Sequence, residues 1–205
     1  MDIKLIVDAN SFTLYSTRNA DKKFQTFKKK VLERDRYTCS YCGFRSKIHM
    51  SVINMDANYL NNKISNLVTA CPYCAQCHFL PYVGKVNNTG GTLIHLPDMS
   101  QAQLNALCHT IFCLIHNDTK HSKLSDKVYK SLKLRGQVIE DYWGNDLSDP
   151  SMLAQMMIDT PGEKVKAVKS SLLKDIRLLP SIKAFKQQIS DWSMNALNQG
   201  ISGPY

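Results

Sequence analysis

The residues best suited to chemistry in this chain are its cysteines. There are seven in 205 residues, and five fall between Cys39 and Cys77, in the segments Cys39-Ser-Tyr-Cys42-Gly43 and Cys71-Pro-Tyr-Cys74-Ala-Gln-Cys77-His78. Two residues between cysteines let a tight turn aim both sulfurs at one ion, and two such turns complete the tetrahedron that zinc prefers. The 28 residues separating Cys42 from Cys71 make the site long-range. One structural Zn2+ on Cys39, Cys42, Cys71 and Cys74 is therefore expected to supply folding energy by joining distant segments. In a chain expected to be cytosolic, such crowding points to metal rather than disulfides. Cys77 and His78 are alternative donors on the second arm, but four thiolates already fill the site, so packing or support is expected of them. A closed four-ligand site has no open position for a catalytic water. Cys108 and Cys113 lie in an apolar helical pattern and are expected in the core.

The elements that must position these residues follow from the flanking pattern. Residues 3–16 read as two strands, IKLIV and FTLYS, around the turn-prone Asp8-Ala9-Asn10-Ser11, an amino-terminal hairpin. From Asp21, Phe24, Phe27, Val31 and Leu32 recur at helical spacing opposite Lys22, Lys23, Lys28, Lys29 and Lys30, a basic amphipathic helix leading into the first cysteine pair. Ile48 to Met55 alternates like a strand. After the run Asn87-Asn88-Thr89-Gly90-Gly91 a boundary is expected near Pro97, dividing a zinc module at 1–96 from a helical domain at 97–205.

In the second half, Ser100 with Gln103 and Thr160 with Glu163 have capping-box spacing, and Pro150 and Pro161 occupy favoured first-turn positions. Helices are expected near 100–117, 122–135, 150–158, 161–175 and 181–197, the last with a core stripe of Ile182, Phe185, Ile189 and Trp192, and the tail GISGPY is expected to fray. Met152, Met156 and Met157 are flexible apolar side chains that either adapt to a partner surface or fill gaps between helices.

The formal charge is +9, with 13 Lys/Arg against 6 Asp/Glu in residues 1–95 and 13 against 11 in the remainder. That field attracts nucleic acid, anionic headgroups or acidic protein segments without choosing among them, and a solvated basic face gives the same numbers. The amino terminus lacks an apolar stretch after a basic region, so no secretory signal is expected. The longest apolar stretch, Ala106 to Ile115, falls short of the ~20 residues that span a bilayer.

The segments FKKKVLERDRYTCSYCGFR and SNLVTACPYC resemble the framework of HNH endonucleases over residues of about 24–80. That family carries a basic helix ending in Arg-Asp, a first Cys-x-x-Cys-Gly, a strand with a catalytic histidine, an Asn-Leu helix start and a second Cys-x-x-Cys-His. The resemblance implies a ββα zinc module. It also puts the family's asparagine at Asn66, its catalytic histidine at or near Asn54, and its last, metal-holding histidine at Ala75. An amide cannot take a proton from water near neutral pH, and alanine cannot ligate metal. His49 and His78 are out of register for either role. The resemblance therefore implies the fold and argues against the activity.

The whole layout, with CSYCGF, CPYCAQCHF and a helical remainder, resembles a family of type IVB (Dot/Icm) secretion coupling-complex components. That resemblance implies a non-catalytic adaptor on the cytoplasmic face of the inner membrane, bound to the carboxy-terminal extension of the coupling ATPase DotL and to other coupling-complex subunits. Membrane contact would then be indirect or peripheral. The expected fold class is α+β, a small HNH-like zinc module with an amino-terminal hairpin followed by a mostly helical half. Two other readings stay open: an endonuclease with displaced catalytic residues, and a nucleic-acid-binding module without catalysis.

Overall fold

The structure, a computed structural model, describes residues 3–160 and 173–198. Helices and two small sheets make up the described chain, an α+β arrangement. The first sheet pairs β1 (Ser51–Asn54) with β2 (Leu67–Ala70), antiparallel, with Ser51 opposite Ala70 and Asn54 opposite Leu67. Side chains alternate across a strand. Ile53 and Val68 accordingly join the main core, while Val52 and Leu67 turn outward to meet Phe24 and Val31. Those two belong to α2 (Lys22–Arg34), the basic helix foreseen from the lysine pattern. Phe27 departs from that pattern: expected on the apolar face, it is 48% exposed, because the two-stranded sheet is too narrow to cover it.

The amino-terminal hairpin does not form. Residues Ile3–Val7 form no strand pair; Ile6 instead exchanges backbone hydrogen bonds with Cys77 and Leu80 at 2.8 and 3.2 Å, beside a 3-10 segment at Gln76–Tyr82. FTLYS lies in a helix, α1 (Ser11–Ala20). Asp8 Oδ1 accepts from the Asn10 and Ser11 backbone N–H groups at 2.7 and 2.9 Å, so the residues read as a hairpin turn lead into a helix instead. Phe12 and Tyr15, three apart, then share a face against Phe79.

A second sheet departs from the expected helical half. It pairs β3 (Gly91–His95) with β4 (Ile176–Pro180), so the second half is not purely helical. Segment IRLLP resembles a short apolar run within helical surroundings and takes strand form only because β3 supplies hydrogen bonds from far away in sequence. Helix α4 (Gln101–His116) begins at the foreseen capping box, with both Ser100–Gln103 bonds made, and packs on β4. Its Gln101 amide both donates to the Leu178 carbonyl and accepts from the Leu178 N–H, each at 2.8 Å. Then come α5 (Ser122–Leu134), α6 (Gln137–Trp143), α7 (Pro150–Asp159, capped by Asp149) and α8 (Lys186–Asn198). Helix α6 was not anticipated. Ile182 and Phe185 precede α8 rather than lying within it, and the expected helix at 161–175, with Pro161, Glu163 and the tail, lies almost wholly outside the described residues. One core cluster draws on both sides of Pro97, from Ile53 and Tyr73 to Leu104, Leu153 and Phe185.

Candidate metal centre

The first cysteine pair sits on a turn that the backbone closes twice. The Gly43 N–H donates to the Cys39 carbonyl at 3.0 Å and the Cys39 N–H to the Phe44 carbonyl at 2.8 Å. Gly43 holds φ +77°, a left-handed conformation that glycine adopts without strain. The second pair opens a short helix, α3 (Pro72–Ala75), where Cys71 is the N-cap and Pro72 the first helical residue. Two links bring the turns together: the Ser40 N–H donates to the Thr69 carbonyl at 2.9 Å, and β2 runs directly into Cys71.

The outcome is a knot of four sulfurs. The ligand atoms of Cys39, Cys42, Cys71 and Cys74 all lie within 4.8 Å of one another, and Cys42 Sγ is 3.6 Å from Cys71 Sγ. A zinc–sulfur bond of ~2.3 Å in a tetrahedron gives an S···S edge of roughly 3.8 Å, so the spacing suits such an ion. The thiols also press on each other's ionisation. Hydrogen bonds from the Cys42, Cys71 and Cys74 thiols hold Cys39 as the thiolate, whereas burial pushes the Cys71 thiol up. A divalent cation would favour the thiolate form of all four.

Two further residues touch this cluster, and the cysteine spacing gave no hint of them. Asn105 Nδ2 lies 3.2 Å from Cys74 Sγ, and His109 Nε2 lies 3.2 Å from Cys71 Sγ. They stand four apart on α4, hence on one helical face. The His109 ring is sandwiched, 3.6 Å from Phe44 and 4.2 Å from Tyr73 between centroids. Burial lowers its pKa to about 3, so the ring is neutral and able to donate one N–H to sulfur. Such donors orient thiolates and offset their charge. The i, i+4 spacing of Asn105 and His109 was the available signal, but a polar pair inside an apolar helix looks the same wherever it points.

Of the other candidate donors, Cys77 is buried, its Sγ 3.4 Å from the Tyr73 carbonyl, and it stands outside the cluster. His78 is buried with Nδ1 3.1 Å from Tyr59 Oη, and desolvation lowers its pKa to about 4. Cys108 is in the core as expected, but Cys113 is exposed, because the α4 stripe turns away from the core at that point.

Of the positions corresponding to nuclease chemistry, Asn54 and Asn66 lie at the other end of the β1–β2 sheet. Asn54 is wholly buried: Nδ2 donates to the Asn58 and Asn61 carbonyls at 2.8 Å each, and Oδ1 accepts from Arg18 Nη1. Arg18 also donates to the Val52 carbonyl and to Asn62 Oδ1, both at 2.9 Å, and its guanidinium lies 4.2 Å from the Phe24 ring centroid. Asn66 grips the same loop, donating to Asp56 Oδ1 and the Asn61 carbonyl at 2.8 Å. Ala75 is buried in α3. His49 is out at the surface, its Nε2 2.6 Å from Asp191 Oδ2. The Arg-Asp pair that ends α2 is structural, Arg34 donating to the Leu67 carbonyl at 2.7 Å and Asp35 accepting from the Thr69 N–H at 2.9 Å. Of the three methionines, Met152 and Met156 are exposed, whereas Met157 is buried and unable to meet a partner.

No protein-family profile matches the chain. It is similar to the Type 4 apparatus protein DotN of Legionella pneumophila subsp. pneumophila (strain Philadelphia 1), 44% identical over 198 residues, covering 97% of this chain and 92% of that protein. The likeness therefore takes in the cysteine turns, the asparagine-held loop and the helices beyond them.

Proposed function

The chain belongs to the family of the Type 4 apparatus protein DotN, and from that membership we propose that it is a non-catalytic adaptor of a type IVB secretion coupling complex, stabilised by one Zn2+. Its partner in this reading is the carboxy-terminal extension of the coupling ATPase DotL, at the cytoplasmic face of the inner membrane, where it helps to recruit effectors. Among the described residues no helix is long and apolar enough to cross a membrane, in keeping with attachment through protein partners.

Zinc would be held by Cys39, Cys42, Cys71 and Cys74, with Asn105 and His109 donating to the sulfurs. When bound, the ion supplies a closed tetrahedral link between the two cysteine turns. Because both donors come from α4, filling the site would also anchor that helix, and with it the half beyond Pro97. The division at 1–96 and 97–205 enters this reading as a division of labour, an HNH-like ββα module that holds the ion and a helical half that meets partners. Met152 and Met156 on α7 are the exposed apolar side chains assigned to that contact.

The observation that carries the non-catalytic reading is the saturation of Asn54. Both its amide hydrogens and its oxygen have partners inside the protein. The group standing where a base would be has nothing left to offer a water molecule or a phosphodiester, and Arg18 beside it would oppose the protonation of any imidazole placed there.

Calorimetry of the full chain with the DotL tail, at low and moderate salt and with duplex DNA as comparison, tests the adaptor role. Tight tail binding that survives moderate salt, beside weak DNA binding erased by it, is expected; the reverse ranking overturns the reading. A second reading, nucleic-acid binding without catalysis, draws on exposed Phe27, whose ring centroid is 6.0 Å from Lys30 Nζ on the basic face of α2.

A further inference from the structure

The loop between β1 and β2 reverses the usual arrangement of a segment that meets water. Its polar side chains bond inward. Asp56 Oδ1 accepts from the Asn58 N–H and Asn66 Nδ2 at 2.9 and 2.8 Å, Asp56 Oδ2 accepts from Asn61 Nδ2 at 2.7 Å, and Asn58 Oδ1 accepts from the Leu60 N–H at 3.1 Å. Its apolar side chains face out: Met55, Leu60 and Ile64 are 40%, 74% and 47% exposed. Single exposed apolar residues are ordinary, but three on one braced loop are not.

The neighbouring flank of α2 supplies a fourth apolar group and the charge. Lys23, Phe27, Lys30 and Arg34 follow one another at four, three and four residues and so line one side of the helix. Arg34 reaches from that side to the Ile64 and Leu67 carbonyls at 3.0 and 2.7 Å, which sets the end of the loop against it. Residues 21–64 hold ten Lys/Arg against four Asp/Glu, +6 of the chain's formal +9. Each of the four acids already has a partner: Asp21 the Lys23 N–H, Glu33 Lys29, Asp35 Arg34, and Asp56 its own loop. Lys23, Lys30 and Lys63 are exposed and enter no ion pair among the described residues.

We propose that this face lies directly on an anionic lipid bilayer, with Lys23, Lys30 and Lys63 at the headgroups and Phe27, Leu60 and Ile64 dipping into the boundary beneath them. Lysines bring a protein to such a surface, and apolar tips hold it there. A nucleic acid would use the lysines but fits the rest less well. It calls for aromatic faces on which bases stack, whereas Met55, Leu60 and Ile64 are aliphatic and gain only by leaving water for an apolar medium. The assignment goes beyond the adaptor reading, in which the membrane is reached through protein partners.

The test is flotation of the purified full chain with vesicles of phosphatidylcholine alone and of an equimolar mixture of phosphatidylcholine and phosphatidylglycerol. Binding is expected to the mixture only, and weakens as salt rises. Lys23→Ala with Lys30→Ala should weaken it roughly 25-fold, about five-fold for each charge near the surface. Lys127→Ala with Lys133→Ala removes the same charge from α5 and should leave binding nearly unchanged. Leu60→Ser should weaken binding roughly five-fold without moving the melting temperature. Leu60→Trp reads insertion: its fluorescence, taken as the difference from the native chain, should shift to the blue and be quenched by lipid brominated in its acyl chains. No flotation with the mixture, equal binding to both vesicles, equal losses from the α2 and α5 pairs, or a Leu60→Trp signal indifferent to lipid would overturn the proposal. Binding of duplex DNA through Lys23 and Lys30 without binding of vesicles would overturn it in favour of the nucleic-acid reading. The DotL tail is absent from these mixtures, so vesicle binding and tail binding stand or fall separately.

Discussion

The β1–β2 sheet has a polar site at each end, and the two sites meet their needs in opposite ways. Beyond Ala70, four thiols converge with two N–H donors behind them. Beyond Asn54, an arginine and two asparagines close on loop carbonyls and on one another. The first site has a donor set that could take an ion from outside; the second is complete as it stands. In an HNH enzyme the second site would be the one facing substrate. Here the side chain at that position, Asn54, is buried and hydrogen-bonded within the protein.

Breaking the metal end should have the largest effect. Cys39→Ser or Cys74→Ser removes a ligand whose ion is worth on the order of 10 kcal/mol of apparent binding energy, as much as the entire stability of a typical domain. Loss of cooperative thermal unfolding and of soluble protein is expected, while Cys113→Ser, at an exposed position, leaves the melting curve unchanged.

At the self-contained end the effect should be smaller and independent of metal. Asn54→Ala orphans two loop carbonyls and one Arg18 donor, at a cost of about 2–4 kcal/mol, read as a lower denaturation midpoint with full zinc content. Asn54→His installs the histidine that HNH endonucleases carry but leaves Ala75 and Arg18 in place, so plasmid incubated with magnesium, manganese or nickel should remain uncut. Reproducible nicking would reopen the endonuclease reading.

How far these sites could be read from the chain divides along the same line. Cysteine spacing announces its own geometry, because a thiolate pair two residues apart has few other uses. Asn54 and Asn66 could be placed only by resemblance to a family, and their partners not at all, since Arg18 comes from a segment read as a hairpin. That misreading has a local cause: Asp8 and Asn10 suit a hairpin turn and the start of a helix equally, and Phe12, Tyr15 and Phe79 decide between them only in three dimensions. Strand β4 and the sulfur contacts of Asn105 and His109 were hidden for a similar reason, as each draws its meaning from residues tens of positions away.

The link between the metal end and the helical half can be weakened without destroying it. His109→Ala removes an N–H···S contact and a ring packed between Phe44 and Tyr73. A loss of about 2–3 kcal/mol is expected, with zinc affinity lowered by roughly 10–100-fold as measured by competition with a chromogenic chelator. Unchanged affinity would reduce His109 to a packing residue.

The smallest effect should be a pH dependence. His78 is held neutral in the fold, with its pKa lowered to about 4 by burial, against ~6.5 in the unfolded chain. The unfolded state therefore binds more protons between those values, and stability from this residue is present above pH ~6.5 and lost as pH falls toward 4, by about 3 kcal/mol at most. Thiolate protonation acts in the same direction but is common to both proteins when the native chain is compared with His78→Gln. The variant's stability should fall less steeply across that window; parallel curves would remove His78 from the account.

The most direct test of the contrast between the two ends is native mass spectrometry of the purified chain beside its Cys39→Ser and Asn54→Ala variants. One zinc ion per native chain, one per Asn54→Ala chain and none on Cys39→Ser is the predicted result. A native chain that carries no metal yet unfolds cooperatively, or a Cys39→Ser variant that keeps its zinc, would contradict the four-thiolate assignment.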